Sequence, residues 1–113
     1  MYLGVRLREL IDMTIEETIE KLEIEWGTDG FLGKLRRGEF SQSGSEKFLQ
    51  LIGDIRIGED ERVPKRLLSL VWYLPSFLSW QSERVEESGS NLRSYKKFIT
   101  EAHNVLEDVL GVP

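Results

Sequence analysis

The sequence predicts an all-α fold: a compact single-domain bundle of four to six helices over residues 1–113, with a proline-kinked central helix. Apolar residues recur at helical steps of three and four near both ends of the chain. Between them lies an apolar run of 14 residues, Leu67 to Trp80. Only short stretches alternate in the way a strand requires. A chain of 113 residues is long enough to bury one core unaided and too short for two.

From Leu3 to Trp26 the apolar positions 3, 7, 10, 11, 15, 19, 22 and 26 form one stripe. Thr14 with Glu17 matches a capping box, so the stripe reads either as one long helix or as two helices parted around Asp12 to Thr14. The alternation of Leu3, Val5 and Leu7 also allows a short opening strand. Gly27-Thr28-Asp29-Gly30 is a turn signature in which Asp or Thr can cap a short helix from Phe31 to Arg37. Ser45 reads as the N-cap of a helix from Glu46 to Gly53 that buries Phe48, Leu49 and Ile52. Asp54 to Ile57 alternates for only four residues, and a strand there would lack a partner.

Pro64 suits the first turn of a helix running to about Val85, where its missing N–H costs nothing. Pro75 removes the hydrogen bond to the Val71 carbonyl, so a kink or break is expected near Leu74. Leu68, Val71, Trp72 and Trp80 make one face of this segment bulky, and the core is expected to form on it. The linker Ser88 to Asn91 caps a last helix, Leu92 to Leu110, which Gly111 and Pro113 stop.

Charge placement narrows the function. Residues 1–29 hold eight acids and three bases, a balance of −5, while the remainder is neutral, so the whole net charge of −5 sits in the first quarter of the chain. That disfavours nucleic acid or an anionic membrane as the partner and favours a basic protein. Within this quarter Glu9, Asp12, Glu16, Glu20 and Glu23 fall in an arc of about 80° on a helical wheel, with no base among them. These five carboxylates are the candidate partner-binding face. Like charges at i and i+4 weaken a helix by roughly 0.2–0.5 kcal/mol per pair, a cost that a basic partner would reverse.

Catalysis finds little to work with, so the expectation is a protein that is not an enzyme and needs no cofactor. His103 is the single histidine and cysteine is absent, which rules out thiolate sites and histidine pairs for a metal. Glu16-Glu17, Glu59-Asp60-Glu61 and Glu86-Glu87 lie in polar segments and read as solvated surface. Gly30-Phe31-Leu32-Gly33-Lys34 matches no phosphate-binding loop. The clusters Lys34 to Arg37 and Lys65-Arg66 read as salt-bridge partners for neighbouring acids. Without a secretory signature or a membrane-length apolar run, the expected compartment is the cytoplasm.

Leu70-Val71-Trp72-Tyr73-Leu74-Pro75, Trp80-Gln81-Ser82-Glu83-Arg84-Val85 and the closing Leu110-Gly111-Val112-Pro113 resemble a family of bacterial immunity proteins. That family guards cells against polymorphic toxins such as those of contact-dependent growth inhibition. Phe31-Leu32 and Leu35 to Phe40 resemble the short helix and acidic loop that precede those motifs, so the resemblance covers roughly residues 26–113. It implies a small cytoplasmic protein that binds and neutralises the C-terminal toxin domain of a cognate secreted effector, frequently a nuclease. Trp72, Tyr73, Pro75 and Trp80 are expected to be scaffold, leaving the acidic face for binding. A helical adaptor that joins a complex through an apolar surface is the alternative.

Overall fold

A computed structural model describes residues 14–113, and these form seven helical segments without a strand. They are α1 (Ile15–Trp26), α2 (Phe31–Leu35), α3 (Gln42–Gly53), α4 (Lys65–Val71), α5 (Leu74–Trp80), α6 (Ser82–Glu87) and α7 (Leu92–Leu110). The all-α expectation holds. Since α4, α5 and α6 follow one another with only a turn between them, they are one central helix broken twice.

Local chemistry sets most boundaries. Thr14 is extended, and its hydroxyl accepts a hydrogen bond from the Glu17 N–H at 3.1 Å, so the helix ending at Trp26 begins at Ile15. A single helix through Thr14 is thereby ruled out; the segment before it, with Glu9 and Asp12, lies outside the described residues. α7 keeps its expected ends, with the Asn91 side chain accepting from the Ser94 N–H at 3.0 Å and Gly111 at φ 82° closing it. α3 starts earlier than expected because Ser41, not Ser45, is the cap, its hydroxyl accepting from the Gly44 N–H at 3.1 Å. Ser45 is buried inside the helix and donates to the Gln42 carbonyl. α2 is likewise entered from Gly30, with no side-chain cap from Thr28 or Asp29.

The central helix breaks where Pro75 requires it. α4 ends at Val71, Trp72 and Tyr73 turn, and α5 restarts with the proline in its first turn. A second turn at Gln81 opens α6.

α7 is the spine, with α3, α5 and α6 packed along it, while α1 lies across α4 and α2. At the centre the rings of Phe31, Phe48 and Phe98 pack 5.3–6.3 Å apart, joined by Phe40 and Tyr95. Tyr95 is wholly buried and its hydroxyl donates to the Leu78 carbonyl, which ties α7 to α5. Where α2 crosses the end of α1 the backbones nearly touch: a Cβ on Gly33 would stand 1.8 Å from the Gly27 carbonyl oxygen. Only glycine allows that approach.

The face of the central helix that enters the core is not the bulkiest one. Leu67, Leu70, Val71, Leu74, Phe77 and Leu78 are buried, whereas Leu68, Trp72 and Trp80 are exposed. Leu67, Leu70, Val71 and Leu74 follow helical spacing and fix the inward direction, which rotates Leu68 and Trp72 away by about 100°. The break after Val71 puts Trp80 on a separate helix, so the eight-residue interval no longer reads on one wheel.

Candidate functional site

The acidic side of α1 is present among the described residues, in shortened form. Thr18 and Leu22 point into the core. Glu16, Glu20 and Glu23, at steps of four and three, share a flank of the helix and are exposed. Glu23 is engaged: the Arg66 guanidinium on α4 donates to its Oε2 from Nε at 3.0 Å and from Nη2 at 2.9 Å. This contact places the acidic flank on the α4 side of α1. Because Arg66 pairs with Glu23, the carboxylates of this flank that have no ion pair among the described residues are Glu16 and Glu20. The other basic cluster is also occupied in part, with Arg37 donating to Glu39 at 2.8 Å.

Beyond Trp26, at the end of α1, lie residues expected from the sequence to be scaffold. Trp72 is 65% and Trp80 64% exposed, and their rings flank that of half-buried Tyr73 at centroid distances of 5.6 and 5.7 Å. Tyr73 in turn sits 6.3 Å from Trp26, which closes α1 one turn after Glu23. Trp26 is fixed in place. Its indole N–H donates to the Leu70 carbonyl at 2.9 Å, its ring meets Phe77 edge-on at 4.8 Å, and the Arg36 guanidinium stacks over both rings. The aromatic strip is therefore packed on its inner side, through Tyr73 and Trp26, and open on its outer side.

At roughly 150 Å² of remaining exposed area per indole, the two tryptophans present about 300 Å², which already equals the largest apolar patch on many monomers. Leu68, Leu110 and Val112 are exposed as well. Trp72, Pro75, Leu106 and Leu110 line a groove of about 240 Å³ between the central helix and the end of α7, with His103 and Glu107 at its rim. A larger groove of about 420 Å³ between α1 and α3 mixes Lys21 and Lys47 with Glu25 and Asp54, so its charges offset one another.

Groups able to do acid–base chemistry are scattered. His103 is exposed on α7, as are Glu86 and Glu87 on α6. Glu61 serves its own loop, accepting from the Gly58 N–H at 2.9 Å. Among the described residues no three His, Asp or Glu side chains are placed to share a metal. Burial pushes the Tyr95 hydroxyl well above its ordinary value, and that group is locked in the core. No described helix is long and apolar enough to cross a membrane.

What the geometry brings together is thus a one-sign flank, Glu16 and Glu20, and an aromatic strip, linked through Glu23 and Trp26. The sequence pattern contained a sign of the strip: Leu68 and Trp72 stand one position off the stripe that Leu67, Leu70, Val71 and Leu74 define. No family model, curated protein or solved structure matches this chain.

Proposed function

We propose that this chain is an immunity-type binding protein, which occupies and neutralises the C-terminal toxin domain of a cognate secreted effector in the cytoplasm without catalysing a reaction. The observation that carries the reading is the exposed acidic flank of α1, Glu16 and Glu20, beside α4. Nucleases hold phosphate backbones with lysine and arginine, so an acidic surface can take the place of their substrate. Complementary charge also raises association rates, towards about 10⁸–10⁹ M⁻¹s⁻¹ at low salt. The resemblance of residues 26–113 to immunity proteins points to the same class.

The reading predicts that a secreted toxin is encoded beside this gene, and it is tested by co-expressing the chain with that toxin's C-terminal domain. Rescue of growth and a stable complex are expected. The double variant Glu16→Lys, Glu20→Lys should slow association by about tenfold, with the loss shrinking as salt is raised. Equal rates for both proteins at low salt would remove the acidic flank from the account; absence of rescue would remove the immunity reading itself. The exposed indoles of Trp72 and Trp80 favour a second reading, a helical adaptor that joins a complex through an apolar surface. In that case a stable complex would form without loss of the partner's activity.

A further inference from the structure

We propose that Trp72, Tyr73 and Trp80 form the anchor of the binding surface, and that they receive arginine and lysine side chains of a basic protein. The inference deepens the binding reading above and rests on it for the partner being basic. Three observations carry it. The two indoles flank one tyrosine ring at 5.6 and 5.7 Å, and each keeps about two-thirds of its surface open. Tyr73, the middle ring, packs 6.3 Å from Trp26, whose indole N–H donates to the Leu70 carbonyl and whose ring meets Phe77 edge-on. Carboxylates lie on two sides of the strip: Glu107 lines the same groove as Trp72, and along α1 beyond Trp26 and the Arg66-paired Glu23 stand the exposed Glu20 and Glu16.

Aromatic faces beside carboxylates are suited to cations that carry apolar stems. A guanidinium stacks on an indole face, its methylene chain covers the ring edge, and a nearby carboxylate takes the charge. Trp and Tyr are also the residues that most often carry binding energy at the centre of an interface, because they present large area and lose little conformational freedom. The charge argues against other occupants. A second copy of this chain would set its own acidic α1 against that of the first, and nucleic acid brings phosphates. From Glu16 to Trp26 the helix rises about 15 Å. With the rings beyond it, the surface reaches the span of an ordinary protein interface, which covers about 800 Å² on each partner.

The test uses the full chain and a synthetic amphipathic helical peptide with leucine on one face and arginine on the other, read by tryptophan emission. Saturable binding is expected, with each of Trp72→Ala and Trp80→Ala weakening it by about tenfold. The same peptide with glutamate in place of arginine should not bind. Both side chains lie outside the core, so circular dichroism and urea midpoints should match those of the parent chain. Equal affinity of the variants, equal binding of the glutamate peptide, or an emission change on simple dilution, the sign of a second copy on the strip, would each overturn the proposal. Peptide binding that is lost in the variants supports the strip even where co-expression gives no rescue; the immunity reading then falls alone.

Discussion

Two aromatic clusters of similar size have opposite fates in this molecule. Phe31, Phe48, Tyr95 and Phe98 close on one another from α2, α3 and α7 at the centre of the core, and half-buried Phe40 from the loop after α2 packs against them. Trp26 closes α1, Trp72 and Tyr73 form the turn between α4 and α5, and Trp80 ends α5; among the described residues no element covers Trp72 or Trp80. Coverage by distant elements, rather than aromatic content, decides which rings become interior. The first cluster therefore carries stability, whereas Trp72 and Trp80 of the second stay open to solvent.

The sharpest way to break this contrast is to truncate one ring in each. Phe98→Ala should cost about 3–5 kcal/mol in urea unfolding, since it removes a buried ring that touches four others. Trp72→Ala or Trp80→Ala should stay within about 0.5 kcal/mol. Comparable losses at both sites would mean that the strip is core.

Tyr95 gives a pH-dependent version of the same test. Its hydroxyl is buried and its ionisation is pushed up by desolvation, so the folded chain keeps the proton at alkaline pH while the unfolded chain releases it near its ordinary value of about 10. The unfolded state then binds fewer protons, and stability falls as pH rises above about 10, by up to about 1.4 kcal/mol per pH unit. Below that pH the contribution is complete. Tyr95→Phe should lose about 1 kcal/mol at neutral pH with the hydrogen bond to Leu78, yet show a shallower alkaline decline. Urea titrations at pH 7 to 11 check both.

The smallest expected effect belongs to the ion pair that joins the acidic flank to α4. Arg66 and Glu23 are both about half-exposed, so Arg66→Ala should cost less than about 1 kcal/mol, fading in high salt. The same substitution frees the Glu23 carboxylate, and association with a basic partner should be unchanged or faster. Slower association would show that Arg66, and not the acids, meets the partner.

The sequence made legible what local chemistry decides. The bounds of α7, the Thr14 cap and the break at Pro75 follow from capping side chains, helical period and a missing N–H, all within a few residues of where they act. Capping was ambiguous where several serines competed, and α3 starts at Ser41, next to Phe40, which packs 5.2 Å from Tyr95. The candidate site was half legible. Glu16, Glu20 and Glu23 align because they share one helix, but the pairing of Glu23 with Arg66 spans 43 positions. Whether Trp72 and Trp80 are covered depends equally on distant elements. A rule that equates large apolar side chains with the interior therefore placed both tryptophans on the wrong side.

The most direct measurement is ¹⁹F NMR on the chain labelled with 5-fluorotryptophan, in which each of the three tryptophans gives one resonance. In the free protein Trp72 and Trp80 should show the large H₂O-to-D₂O shift of solvated indoles, and Trp26, with its indole bonded to Leu70, a smaller one. On addition of the arginine-faced peptide, the first two should move and lose that solvent shift while Trp26 stays in place. Three equally protected resonances in the free chain, or a peptide that leaves Trp72 and Trp80 unmoved, would contradict the account.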